Sequence, residues 1–252
     1  MIKVRGLQLL YGKHQALANV DLDFPKGKVT ALVGPSGCGK SSFLMCLNRL
    51  IDLVPGSLVE GCICLDDKEI LRDVKCTPIL RRRIGMIFQR PNPFPMSVRR
   101  NLHLALQEHG LGNKQERNQR MQRALEDVGL WEEVQDRLDE SATTLSGGQQ
   151  QRLCFARALM LEPEVLLLDE PCSALDPLAS EVVEQLILQL RGRYTIGLVT
   201  HNLAQARRLA DHLAVFWIKE GAGTVLASGP ADVMFKDAGH PTAVAYLEGR
   251  RG

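Results

Sequence analysis

The 252-residue sequence predicts an α/β protein, a largely parallel sheet with helices on its faces and one helical insertion. Three observations lead there. The apolar run Val29 to Val33 passes through a glycine-rich turn straight into helical spacing. Strand and helix signals alternate again from Val165 onward. Between about Gln89 and Leu145 the sequence has few β-branched residues, many helix formers and dense charge.

Taken in order, residues 2 to 33 alternate short apolar runs with turn signals. Val20-Asp21-Leu22-Asp23-Phe24 reads as a strand, Pro25-Lys26-Gly27 as a tight turn and Val29 to Val33 as the next strand. Ser42 to Leu50 places apolar side chains at helical spacing. In the insertion, Met121, Leu125 and Val128 give the helical stretch Asn113 to Gly129 one buried face. A helix over Gln150 to Met160 packs through Leu153, Ala156, Arg157 and Leu159. Val165 to Leu168 reads as a buried strand and Ile196 to Thr200 as another. Between them, Pro177 opens a helix carrying Leu178, Val182, Val183, Leu186, Ile187 and Leu190. Strands are expected over Ala214 to Ile218 and Thr224 to Ala227.

Composition excludes several classes. With 45% hydrophobic and 24% charged residues the chain is neither disordered nor a disulfide-stapled miniature, and its length allows a large core. A net charge of +2, with only short basic runs at Arg81-Arg82-Arg83 and Arg250-Arg251, gives no electrostatic case for nucleic acid. The start lacks an apolar signal stretch, and no window approaches the ~18 apolar residues of a membrane span, so a cytosolic chain is expected. Seven cysteines is an odd count, and Cys62-x-Cys64 lacks the second pair or histidines of a zinc site. Core thiols in a reducing compartment are therefore expected.

Gly34-Pro35-Ser36-Gly37-Cys38-Gly39-Lys40-Ser41 satisfies G-x-x-x-x-G-K-[ST] between a strand and a helix, where such a turn must lie to cradle a polyphosphate. Its glycines let successive amides point inward, the helix N-terminus adds positive potential, Lys40 adds a full charge, and the Ser41 hydroxyl can ligate Mg²⁺. Cys38 is either a thiol activated by the helix terminus or, as we read it, a small residue the loop tolerates. Val165 to Leu168 then runs into Asp169-Glu170, two carboxylates whose burial calls for a nearby cation. Asp169 is placed to hold Mg²⁺ through water, and Glu170 to orient and deprotonate an attacking water. Leu145-Ser146-Gly147-Gly148-Gln149 precedes a helix, with Ser146 as N-cap and two glycines exposing amides, a second anion site or simply a structural cap.

These motifs, with Gln89 after Ile84 to Phe88, Ser173-Ala174-Leu175-Asp176 and His201, occur in the order found in ATP-binding cassette transport ATPases, which the sequence resembles over nearly its whole length. Within that family Pro91 to Ser97, Gln149 to Cys154 and Glu170 to Pro177 look like the ATPase subunit of bacterial phosphate importers. The resemblance implies one domain over 1–252. Its P-loop NTPase core would be RecA-like, spanning about 1–88 and 146–252 with an N-terminal antiparallel β-subdomain, and its helical subdomain would span about 89–145.

The resemblance also implies ATP and Mg²⁺ as cofactors. Gly34 to Ser41 and Ser42 would hold the phosphates, Tyr11 would stack on adenine, and Ser41, Gln89 and Asp169 would serve the metal. Glu170, His201, Gln89 and Lys40 would carry catalysis, with His201 on the γ-phosphate. Two copies would meet head to tail, so that Ser146, Gly147, Gly148 and Gln149 of one clasp ATP on the other, with Asp176 at the seam. On residue chemistry alone Tyr11 could instead cover a sheet edge, His201 could end a strand, and Gln89 could be a surface residue. Two integral-membrane permease subunits are the implied partners, an extracytoplasmic solute-binding protein acts indirectly, and nucleic acid has no place. The implied location is peripheral, on the cytoplasmic face of a bacterial inner membrane. The segment Lys219 to Thr224 departs from the pattern as a longer loop expected to leave catalysis unaffected, and an appended regulatory barrel is not expected. An importer of another solute, a soluble cassette ATPase, or a nucleotide switch without turnover are the alternatives. The last would lack a carboxylate after Asp169, where Glu170 stands.

Overall fold

The computed structural model describes residues 1–66 and 68–250, and Arg251 of the terminal basic pair lies outside them. The hydrophobic run Val29 to Val33 forms β3, buried at every residue, because helices cover both faces of the sheet there. On one side of it lie β8 (Thr195–Val199), β7 (Val165–Asp169) and β6 (Ile84–Ile87), all parallel to β3. On the other side β9 (His212–Lys219) is also parallel and turns back into antiparallel β10 (Ala222–Pro230). β10 reaches β2 (His14–Phe24) through the pair Gly223 and Leu17, and from β2 the sheet continues through successive antiparallel pairs to β1 (Ile2–Tyr11), β4 (Ser57–Leu65) and the short β5 (Lys68–Glu69). The order β5-β4-β1-β2-β10-β9-β3-β8-β7-β6 thus joins an antiparallel sheet at the N-terminal side to a parallel core.

Helix α1 (Lys40–Leu47) follows the glycine-rich turn, and its Phe43 lies between Phe24, at 6.2 Å, and Phe216, at 5.3 Å, which fixes the helix on the sheet. Helix α2 (Thr77–Arg83) leads into β6. Between β6 and β7 come α3 (Val98–Glu108), α4 (Lys114–Asp127), the single turn α5 (Trp131–Val134) and α6 (Gly147–Leu159). Their starts are set by side chains: Ser97 caps α3, and reciprocal capping boxes link Asn113 with Glu116 and Ser146 with Gln149. Met121, Leu125 and Val128 join Leu102, Leu106, Leu153 and Leu159 in one apolar cluster, which runs on to the outer face of the parallel strands and α7 (Pro177–Leu190). Helices α8 (Leu203–Leu209), α9 (Ala231–Met234) and α10 (Pro241–Leu247) close the opposite end over β3 and β9.

Several expectations are corrected. Lys219 to Thr224 is no long loop: Lys219 pairs with Ala222, leaving the two-residue turn Glu220-Gly221. Both residues have positive φ, 54° and 83°, the backbone of the hairpin turn whose twist matches its strands. Glutamate in a place usually held by asparagine or aspartate hid that signal. Helix α6 begins at Gly147, not Gln150, so both glycines lie inside its first turn. Leu178 and Val182 are exposed, so the apolar stripe of α7 is wider than the face it buries. The cysteines are not all core thiols. Cys38, Cys46 and Cys154 are buried, Cys62, Cys64 and Cys172 are half-buried, and Cys76 is exposed.

Candidate functional site

The parallel order β3-β8-β7-β6 brings four carboxyl-terminal strand ends to one edge. Each delivers a predicted residue there: the glycine-rich turn after β3, His201 after β8, Asp169 and Glu170 at the end of β7, and Gln89 after β6. Ligands in open α/β sheets bind at such an edge. A cleft of about 660 Å³ opens over it, lined by Ser36, Gly37, Gly39, Lys40 and Ser41 together with Gln89, Glu170, His201 and Tyr11.

The phosphate turn is held by close backbone approaches. A side chain at Gly34 would put Cβ 2.3 Å from the Phe216 carbonyl oxygen, and one at Gly39 would lie 2.6 Å from the Leu17 side chain. Gly37 and Gly39 adopt φ of 80° and 87°, which only glycine takes without strain. Among the described residues no amide from Ser36 to Ser41 makes a short, well-aligned bond to a backbone carbonyl, and those of Cys38 and Lys40 face the Cys38 thiol, so the turn keeps amides available to a ligand. Lys40 is buried, its Nζ donating to the Gly34 and Pro35 carbonyls at 2.8 Å each, which holds the ammonium over the loop. Donors, ammonium and helix start together match a polyphosphate. Pro35 extends the turn, and Tyr11 donates to Ser42 Oγ at 3.1 Å, tying the β1–β2 hairpin to α1. Cys38 is buried, and burial outweighs the pull of Lys40 and pushes its thiol pKa up, the environment of a packed thiol.

Ser41 Oγ donates to Asp169 Oδ1 at 2.8 Å. Burial and the neighbouring Glu170 raise the Asp169 pKa, while Ser41 and Lys40 pull the other way. A desolvated carboxylate beside the Ser41 hydroxyl, with the Gln89 side chain lining the same cleft as Ser41, offers oxygen donors of the kind that suits Mg²⁺, so these residues fit the metal. Glu170 sits just past β7 with φ of 47°, a left-handed conformation uncommon outside glycine. It is pinned there from both sides: its amide donates to Val199 O at 3.0 Å and its carbonyl accepts from Ser173 N at 3.1 Å and Ser173 Oγ at 3.0 Å. Glu170 Oε2 then accepts from Gln89 Nε2 at 3.1 Å and lies 3.1 Å from His201 Nδ1. A carboxylate fixed by strained backbone and two side chains is suited to orient a water and take its proton.

The second anion motif lies elsewhere. None of Ser146, Gly147, Gly148, Gln149 and Asp176 lines the cleft. Ser146 Oγ accepts from Gln149 N at 3.3 Å, Gln149 Oε1 accepts from Ser146 N at 2.9 Å, and Gln149 Nε2 donates to Glu133 at 2.7 Å. This leaves the Gly147 and Gly148 amides, which among the described residues meet no acceptor. Asp176 caps α7, accepting from Ala179 N at 3.0 Å ahead of Pro177.

Sequence reasoning missed His14, Ala16, Ile218, Gly221 and Gly223 in the cleft wall. A Cβ at Gly223 would meet Cys38 O at 2.2 Å and Ala16 O at 3.1 Å, so β10 lies directly against the phosphate turn. The segment Lys219 to Thr224, expected to leave catalysis unaffected, therefore borders the site through Gly221 and Gly223. Glycine inside a strand was the available signal, since it marks close approach of another backbone.

A family model described as ABC transporter matches residues 17–173, more than half of the chain. The chain belongs to the ABC transporter family. It is 56% identical over all 252 residues to a phosphate import ATP-binding protein, PstB 1, of Nitrosococcus oceani, covering 91% of that relative. The α/β fold with its glycine-rich turn after β3 is that of the family's ATPase, as the resemblance implied. Among the described residues no helix is long and apolar enough to cross a membrane.

Proposed function

We propose that this chain is the ATP-hydrolysing subunit of a bacterial phosphate importer. The observation that carries the hydrolytic reading is Glu170, whose Oε2 is bracketed by Gln89 and His201 in the cleft that Lys40 and Ser41 also line. The choice of phosphate rests on the full-length likeness to a phosphate import ATP-binding protein.

In this reading the turn from Gly34 to Ser41, with Ser42, grips the triphosphate of ATP through amides and the Lys40 ammonium, and Tyr11 stacks on the base. Ser41, Asp169 and Gln89 would hold Mg²⁺, which neutralises phosphate charge when bound. Glu170 aligns the attacking water and accepts its proton, and His201 faces the terminal phosphate. Hydrolysis so arranged relies on positioning and charge neutralisation. Ser146 to Gln149 and Asp176 lie outside this chain's own cleft, which supports their use against ATP bound to a second copy in a head-to-tail dimer. Closure and reopening of that dimer would act on two integral-membrane permease subunits from the cytoplasmic face, with a solute-binding protein on the far side. Pro91, Pro93 and Pro95 stiffen the segment after Gln89 that would pass on the motion.

The test is to purify the chain with its membrane subunits and measure ATP turnover as solute-loaded binding protein is added. Stimulation by phosphate, and not by amino acids or other oxyanions, is expected. Stimulation by a different solute would overturn the substrate, and absence of turnover in the assembled complex would overturn the hydrolytic reading.

A further inference from the structure

Cys62 and Cys64 stand on β4 with Ile63 between them and Leu65 beyond. Ile63 and Leu65 are buried, so the pleat turns both thiols to the opposite, half-buried face. Their Sγ atoms lie 3.4 Å apart. Cys62 pairs with Arg5 and Cys64 with Lys3 on β1, while Glu69 pairs with Cys64 from β5, so the strand is laced on both sides here. Neither thiol borders the nucleotide cleft.

Two thiols so placed can be joined directly or through a third atom, and distance separates the two outcomes. A disulfide needs β carbons about 3.5–4.5 Å apart. Residues two apart on a strand rise about 3.3 Å each, which sets same-face side chains about 6.6 Å apart at their roots. Closing a disulfide would therefore require β4 to buckle out of two ladders. Two thiolates around one centre at about 2.3 Å with tetrahedral angles span about 3.8 Å between sulfurs, within a few tenths of an ångström of the spacing present. Angles nearer a right angle bring the sulfurs closer still.

We propose that Cys62 and Cys64 form a two-sulfur capture site for one thiophilic centre, of which trivalent arsenic is the class that fits. Among the described residues no group of three or more His, Cys, Asp or Glu is placed to hold a metal, so a four-coordinate zinc site is incomplete here. Trivalent arsenic needs three bonds, is pyramidal, and retains a carbon or oxygen substituent as the third. Soft thiolates are its preferred partners. The step is a substitution without redox change. An organoarsenic(III) oxide loses its oxygen as water, which carries off the two thiol protons, and two As–S bonds form while arsenic stays trivalent.

Phenylarsine oxide, added at one equivalent to the purified full-length chain, tests the site. Intact-mass spectrometry is expected to show one phenylarsenic group per chain, released by a dithiol and not by a monothiol, with peptide mapping of the wild-type adduct placing it on residues 62 and 64. Cys62→Ser and Cys64→Ser each remove one of the two attachment points and should lower capture at least about tenfold while leaving the melting temperature in place. Undiminished capture in either variant, mapping to Cys38, Cys46, Cys76, Cys154 or Cys172, or closure of a Cys62–Cys64 disulfide by hydrogen peroxide would overturn the proposal.

Discussion

Glu170 Oε2 and His201 Nδ1 lie 3.1 Å apart, although 30 residues and a helix separate them in the chain. Gln89 reaches the same oxygen at 3.1 Å from the next strand end. One carboxylate oxygen thus ties the ends of β6, β7 and β8 together, and the other oxygen meets no protein donor among the described residues.

Replacing Glu170 with Gln keeps the shape of this cluster but removes the base. ATP binding should persist, and turnover should fall ~10²- to 10⁴-fold. Equilibrium nucleotide binding and a phosphate-release assay check both halves, and wild-type turnover would remove Glu170 from its role.

His201→Ala acts on the same cluster. Because both side chains converge on one reacting position, the double variant Glu170→Gln/His201→Ala should lose much less than the product of the two single losses. Multiplying effects in a turnover cycle would show that the two residues act independently.

Gly223→Ala and Gly221→Ala separate close approach from backbone conformation. The Gly223 Cβ would sit 2.2 Å from Cys38 O, so overpacking should cost about 1–3 kcal/mol and weaken ATP binding through the displaced phosphate turn. Gly221 has open space around it but φ of 83°, so alanine there should cost about 1 kcal/mol and weaken ATP binding less than Gly223→Ala does. Thermal melts combined with nucleotide titration distinguish the two.

Mg-ATP should stabilise the chain by about 2.7 kcal/mol at a hundredfold excess over Kd. Lys40→Ala should abolish that gain. A melting temperature indifferent to nucleotide would contradict the cleft assignment.

Asp169 gives a pH dependence whose sign follows from its raised pKa. In the folded chain it holds its proton to higher pH than when unfolded, so the folded state binds more protons through that window. Stability of the nucleotide-free chain therefore falls as pH rises from the ordinary aspartate range through the folded pKa. Asp66, Glu133, Asp139 and Glu164 have lowered values and contribute in the opposite direction. The difference between wild type and Asp169→Asn isolates the Asp169 part, and the variant should gain stability relative to wild type as pH rises through that range. A constant difference across it would show that Asp169 is not desolvated.

Legibility followed the range of the interactions. The phosphate turn was readable because its glycines, lysine and serine are consecutive, and Ser146 was readable as a cap because its partner Gln149 is three residues away. The Glu220-Gly221 turn was misread because its first residue is atypical for that backbone, and Leu178 and Val182 because apolar spacing alone does not say where a neighbouring helix stops. Ile218 and Gly223 carry no chemistry of their own, and only the pairing of β10 with β2 and β9 places them beside the cleft.

The amino-acid order alone determined the α/β class, the polyphosphate turn and the adjacent carboxylates, since each depends on residues within a few positions of one another. Tertiary structure decided that Gln89, Glu170 and His201 share one oxygen, and that Ser146 and Asp176 lie outside this chain's own cleft. The reason is strand order: β6, β7, β8 and β3 run parallel side by side, so residues far apart in the chain meet at one edge, and no local pattern encodes which strands become neighbours.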